Sequence, residues 1–227
     1  MRRKTTYIEV TETDMNILQH DIFDDPFSRI VLVANTRKTI IRVADIPPPA
    51  PDAAAKWELV RQNFPLGSKM NERTYVFDGS MFSSEGNSRF FMAALPMHTA
   101  DVIARLAPSI HRIKRLETIE HILFRHYAPT TLDSFCLALL QGDGLRILHM
   151  AHGLPCGAYS ISNISPLREA EAERTWRSLH TPPSRVVFLR NNRPPDANCW
   201  DWFLAFAAQK GAITEAEDYS LQKLTFF

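Results

Sequence analysis

Apolar and polar residues alternate along the first fifth of the chain. YIEV, MNILQHDIF, RIVLVAN and TIIRVADI, all within residues 7–46, are rich in β-branched side chains and parted by polar turns, which predicts the strands of a sheet. PPPAPD breaks the pattern. Asp52 then stands where it can cap a helix that carries Ala53, Trp57, Val60 and Phe64 on one stripe until Pro65 ends it. Two more strands, TYVFDG and RFFMAALP, flank a turn rich in Ser, Gly and Asn. A helical period follows twice, first from near Thr99 with Val102, Ile103 and Leu106, then with Ile119, Ile122, Leu123 and Tyr127 on one side. APTT, residues 128–131, marks a boundary.

Beyond it, FCLALLQ, LRILHMA and CGAYSIS are joined by GDG and GLP, the pattern of a three-strand meander. Ser165-Pro166 is placed to open a helix, EAEAERTWRSL, which is polar enough to predict a surface position. RVVFLRN reads as a buried strand. Asp196 begins a helix with Trp200, Phe203, Leu204 and Ala207 on one face, Gly211 stops it, and DYSLQKLTFF closes the chain as a strand.

With 227 residues, 45% of them hydrophobic, the chain can bury one large core or two small ones. Its 26 basic and 25 acidic residues are well mixed, and a formal net charge of +1 gives no long-range field for gathering nucleic acid or anionic lipid. Cys136, Cys156 and Cys199 are odd in number and set among apolar residues, which fits reduced, buried thiols in a reducing compartment. The start, MRRKTTYIEVTETD, lacks the apolar stretch of a secretory signal, and WFLAFAA and FCLALL are too short to span a bilayer.

Placing YIEVTETDMNIL, residues 7–18, beneath LALLQGDGLRIL, residues 137–148, aligns twelve residues without a gap, each a strand, a four-residue polar turn and a strand ending in Ile-Leu. Two short units do not make a repeat. After each hairpin, however, come further strands and then strands alternating with helices, the order of a βββαβα half. Two such halves resemble the actin-like ATPase fold, a ribonuclease H-like architecture. The run AAAKWELVRQNFPL, the strand pair ending RFFMAALP, a helix from His98 to Pro108 and then RLETIEHILFRHY resemble the inserted subdomain and exit helix of the PilM family. These are cytoplasmic assembly proteins of type IV pili, with the cytoplasmic part of the type II secretion protein GspL as a relative. The resemblance covers most of residues 7–160 by element order, with Trp-Glu-Leu…Phe-Pro and Ala-Leu-Pro its most specific segments.

The resemblance implies an α/β chain of two abbreviated actin-like lobes, residues 1–130 with an α/β subdomain inserted at about 50–115, and residues 131–227. Members that bind ATP carry Asp-x-Gly where the first strand of each half enters its turn. The corresponding positions here are Val10 and Glu12, then Leu140 and Gly142, so neither half keeps the aspartate. Valine and leucine cannot ligate Mg²⁺, and Glu12 would set a carboxylate against a phosphate. The glycine pair that follows the late strand is replaced by Asn191-Asn192, which adds bulk, and only EAEAERTWRSL is available for the second lobe's extra subdomain.

The expected chemistry is therefore binding. The resemblance implies a cytoplasmic, non-catalytic scaffold, peripheral to the inner membrane through its partner, that holds the cytosolic tail of a membrane-anchored assembly protein. An extended peptide would lie in a groove of the first lobe, where Trp57 or Phe64 could line the wall, drawing main-chain hydrogen bonds from a sheet edge. No catalytic residue, metal or cofactor is expected. The alternative is an actin-like ATPase with atypical loops, Thr11, Thr13, Gly142, Asp143 and Gly144 near phosphate and Asn191 and Asn192 near the base. An isolated Gly-Asp-Gly without a lysine or helix start beside it reads more readily as a hairpin turn. No G-x-x-x-x-G-K-[ST] loop or G-x-S-x-G elbow is present. His149 and His152 would point to opposite faces of a strand, and Glu117 and His121, near His126, read as a solvated helical pair with no third metal ligand. Partner identity and homo-oligomerisation are left open.

Overall fold

The computed structural model describes residues 5–10, 15–17, 29–36, 38–46, 52, 55, 58, 62, 75–96, 113–128, 133–141, 144–162, 166–179, 181–191 and 201–219. Strands that are apolar at every position need cover on both faces, and the second half of the chain supplies it. The meander β8 (Phe135–Gln141), β9 (Gly144–Ala151) and β10 (Leu154–Ser162) is followed by the parallel strands β11 (Arg185–Asn191) and β12 (Ile213–Tyr219), in sheet order β10-β9-β8-β11-β12. Cys136, Ala138, Ile147 and Phe188 face the helices α2 (Arg168–Ser178) and α3 (Asp201–Gln209), meeting Ala172, Phe203 and Ala207. Phe135, Leu137, Leu139, Leu148, Met150, Val187 and Leu189 form the opposite row, and that row faces the first half.

The first half repeats the scheme. Strands β1 (Thr5–Val10) and β2 (Met15–Ile17) form a hairpin, and β1 runs parallel to β3 (Arg29–Ala34), which runs parallel to β7 (Ile113–Thr118). The sheet order is β2-β1-β3-β7. The gapless alignment of the two hairpins is also their structural register: Val10 pairs with Met15 as Leu140 pairs with Leu145, and Ile8 with Ile17 as Ala138 with Ile147. Glu9 lies beside Val33 as Leu139 lies beside Leu189. One pattern of inward and outward residues therefore serves both sheets.

Between β3 and β7 in sequence lies a third sheet, β4 (Ile40–Ile46), β5 (Tyr75–Ser84) and β6 (Asn87–Pro96), in order β4-β6-β5. Helix α1 (Ile119–Tyr127) follows β7 directly, capped by the Thr118 hydroxyl, which accepts from the His121 amide at 3.2 Å. Its Phe124 meets Phe82 and Phe91 edge-to-face at centroid distances of 6.4 and 5.5 Å, and His121 stacks on Phe91. Ile119, Ile122, Leu123 and Phe124 join Val31, Val33, Phe91 and the inner row of the second sheet in one continuous core. All three sheets are thus held by the same buried cluster.

The observed elements revise several expectations. TIIRVADI does not join YIEV and RIVLVAN; β4 pairs with β6, because an antiparallel partner is available in RFFMAALP. RLETIEHILFRHY is not one helix: its first four residues belong to β7, whose backbone pairs with β3, and the helix begins at Ile119. Glu117 and His121 are consequently no solvated pair. Glu117 is buried in the strand and holds Arg125 at 3.1 Å, while His121 is buried against Phe91. Helix α2 starts at Arg168 after Leu167, with no side-chain cap; Ser165 lies outside the described residues. The last described strand is ITEAEDY, which takes in Asp218 and Tyr219 of the expected strand DYSLQKLTFF; the rest of that segment lies outside the described residues. Expectations that rest on Thr99, Val102, Ile103, Leu106, Asp196 and Trp200 fall outside the described residues.

Other expectations hold. Asp52 Oδ1 accepts from the Ala55 amide at 2.8 Å, the capping contact, and Ala55, Glu58 and Gln62 are helical and exposed. The β5–β6 turn is Glu85-Gly86, both left-handed, as a two-residue hairpin requires. The β9–β10 turn, His152-Gly153, matches it, and a side chain at Gly153 would strike Ser84 Oγ at 2.9 Å, so glycine is needed where the two hairpins touch.

Tyr127 ties α1 to the far edge of the second sheet by donating to Glu217 at 3.1 Å. Burial, reinforced by the Glu217 carboxylate, pushes its phenol well above the ordinary value of 10.0. A raised value favours the neutral form in the folded state, so this contribution is complete below the ordinary value and is lost as pH rises above it. Between about pH 9 and pH 11 the unfolding midpoint in urea is expected to fall more steeply for the native chain than for Tyr127→Phe. Parallel curves would exclude Tyr127 as the source.

Candidate functional site

Period-two rows that are apolar in the middle of each sheet turn polar at one end. Val31 and Val33 lead to Asn35, Leu137 and Leu139 to Gln141, and Met150 and Leu148 to Arg146. Glu9 lies beside Val33 on the same side of the first sheet. Helix α1 brings Glu120 to the same place, three and four residues before Leu123 and Phe124. These groups meet as one buried cluster. The Asn35 amide donates to Glu9 Oε1 at 2.6 Å, and the Gln141 amide donates to Asn35 Oδ1 at 3.0 Å and to Glu120 Oε1 at 3.2 Å. Arg146 donates from Nε to Glu120 Oε1 at 2.9 Å, from Nη1 to Ser160 Oγ at 2.6 Å and from Nη2 to the Thr39 carbonyl at 2.7 Å.

The cluster draws on both halves of the chain. Glu9, Asn35, Thr39 and Glu120 come from the first, Gln141, Arg146 and Ser160 from the second. Glu120 is fully buried and Arg146 is 5% exposed, so each ion is stable only through the other. Pairing is incomplete: Thr39 Oγ1, Glu120 Oε2 and Gln141 Oε1 are buried without a partner among the described residues. A cavity of about 150 Å³ opens beside the cluster, lined by Gln141, Gly144, Arg146, Ser160 and Ser162. Pockets for small molecules usually exceed about 300 Å³.

Of the sequence-derived site residues, Gly144 begins β9, paired with Gln141, while Gly142 and Asp143 lie outside the described residues. Asn191 ends β11, its backbone pairing with Tyr219, at the position matching Asn35 of the first sheet. Thr11, Thr13, Asn192, Trp57 and Phe64 lie outside the described residues. Val10 is buried with Ile8, Leu32 and Ala34 on the outer side of its sheet, and Leu140 packs on the outer side of the other. The cluster residues were not singled out from the sequence. The usable signal was a lone charge inside an apolar strand, Glu9 in YIEV and Arg146 in LRIL.

Other candidate groups are structural. Cys136 is buried, and burial pushes its thiol well above the usual range. Cys156 sits at a bulge in β10 and is also raised by burial, although the Arg89 guanidinium, donating to its sulfur at 2.7 Å, opposes the shift. His149 Nε2 is 3.0 Å from Ser134 Oγ, and His152 is the exposed left-handed turn residue. Among the described residues, no group of three or more His, Cys, Asp or Glu could hold a metal ion. No described helix is long and apolar enough to cross a membrane.

No family model matches the chain, and no curated protein matches it. Solved structures do. The chain superposes on a Bacteroides thetaiotaomicron protein with an actin-like ATPase fold and unknown function, at 10% identity and a TM-score of 0.58, covering 98% of this chain and 95% of that one. A chain of the PilM–PilN type IV pilus biogenesis complex matches at 14% identity and 0.54, covering 87% and 75%. The cytoplasmic domain of EpsL, an inner-membrane component of the type II secretion system of Vibrio cholerae, matches at 10% and 0.52, covering 97% and 91%. The fold is therefore the actin-like ATPase fold, in an α/β chain. It is the fold of the PilM–PilN and EpsL structures as well.

Removing one member of the buried ion pair strands the other. Arg146→Met is expected to cost about 3–5 kcal/mol, whereas Glu120→Met with Arg146→Met regains most of that loss, since two apolar groups of similar volume leave no buried charge. Urea unfolding of the native chain and the variants measures both; a double variant no more stable than Arg146→Met would contradict the pairing.

Proposed function

We propose that this chain is a non-catalytic scaffold that binds the cytosolic segment of a membrane-anchored protein in a pilus or secretion assembly platform. The observation that carries this reading is the bonded junction: where the two sheets approach, Gln141 and Arg146 both bond to Glu120 and Gln141 bonds to Asn35, so the side chains there are spent mainly on one another. The described residues there do not fit a magnesium nucleotide. Val10 and Leu140 offer no oxygen and lie on the outer sides, and the carboxylates of Glu9 and Glu120 are each engaged by a side-chain donor.

Likeness to the PilM–PilN and EpsL structures supports an assembly role at the inner face of a membrane. An extended segment needs only a sheet edge and side-chain pockets, which a scaffold of three sheets offers without catalytic groups. In that reading the chain works in the cytoplasm and reaches the membrane through its partner. It takes neither nucleic acid nor a metal.

Two titrations of the full chain test it. Synthetic peptides tiling the cytosolic segments of the organism's single-span pilus and secretion proteins should include one that saturates by fluorescence anisotropy. Millimolar magnesium ATP should leave the melting curve unmoved, whereas a ligand at about a hundred times its dissociation constant would stabilise the fold by about 2.7 kcal/mol. Stabilisation by magnesium ATP with no peptide binding would replace the scaffold with an ATPase whose loops are atypical.

A further inference from the structure

The buried cluster has a second property, which rests on the scaffold reading: its hydrogen bonds cross from one half of the chain to the other. Gln141 extends from the end of β8 and donates to Asn35 at the end of β3 and to Glu120 on α1. Arg146, on β9, reaches Glu120 and the carbonyl of Thr39, just ahead of β4. The backbone N–H of Asn35 in turn donates to the Val10 carbonyl at 2.9 Å, so the residue gripped by Gln141 also closes the end of β1 onto β3. Away from the cluster the halves are joined by apolar contacts around α1, which are non-directional, and by two peripheral polar ties, Tyr127 to Glu217 and Arg89 to the Pro155 carbonyl and Cys156.

We propose that these side chains form an internal latch, which holds the strand ends of the two sheets against each other with no bound ligand. Hydrogen bonds supply the direction that the apolar contacts lack: Gln141 can satisfy both acceptors only when the end of β8 stands opposite Asn35 and Glu120 together. The unpaired oxygens of Thr39, Glu120 and Gln141 mean that the latch adds less stability than its size suggests. Its contribution is a single arrangement of the halves, and so a fixed surface for a partner.

Hydrogen exchange on the full chain, read by mass spectrometry, tests this. In the native chain the amides of Asn35 and Gly144 should exchange slowly, at the same rate with and without millimolar magnesium ATP. In Gln141→Ala they should exchange about tenfold faster, the effect of losing about 1.4 kcal/mol of local closure, while amides of Ile122–Phe124 in the shared core keep their rates. Asn35→Ala removes the partner of the same bond from the opposite sheet, and should accelerate exchange at Gly144 in the same way. Unchanged rates in both variants would overturn the latch and leave the scaffold reading standing. Slowing of the native chain by magnesium ATP would overturn both, since the junction would then be closing on a nucleotide.

Discussion

Arg146 and Glu120 are each buried with a full charge, and neither can stay there without the other. That requirement fixes geometry at a distance. Glu120 is placed by α1, Arg146 by the middle strand of a meander, and the two lie 2.9 Å apart only if the helix seats between the sheets in one position. Gln141 adds a second condition, since its amide meets Asn35 as well as Glu120. A packed apolar core could tolerate a small slide of one sheet past the other; a buried ion pair with shared acceptors could not.

The core shows why such a constraint is needed. Phe124, Leu137, Leu139, Val31 and Val33 belong to one cluster, so the two halves are not separate globules touching at a hinge. Matching hairpin registers give both sheets the same inward face, and those faces meet through α1. Where the inward rows end, the side chains change from aliphatic to polar, and the junction closes with hydrogen bonds.

Much of the fold was legible because its signals are local. Apolar runs such as FCLALLQ and RVVFLRN, the Glu85-Gly86 turn and the capping contact of Asp52 each depend on neighbours in sequence. The twelve-residue self-alignment was legible too, and it is the register of both hairpins. Strand partners were less accessible: β4 looks like its predecessors, and only the presence of β6 assigns it elsewhere. In RLETIEHILFRHY the helical period of Ile119, Ile122 and Leu123 masked a strand ending at Thr118, which becomes a strand by lying along β3. The cluster was invisible for the same reason. Nothing near Gln141 in sequence indicates Asn35, 106 positions away.

The scaffold reading and the latch share one physical claim, that the two sheets close on their own polar side chains and need nothing between them. A crystal structure of the full chain grown in millimolar magnesium ATP tests it most directly. The account predicts the Gln141 amide within hydrogen-bonding distance of both Asn35 and Glu120, with no nucleotide at the junction. A nucleotide lodged there, with Gln141 and Arg146 turned away from Glu120 to receive its phosphates, would contradict it.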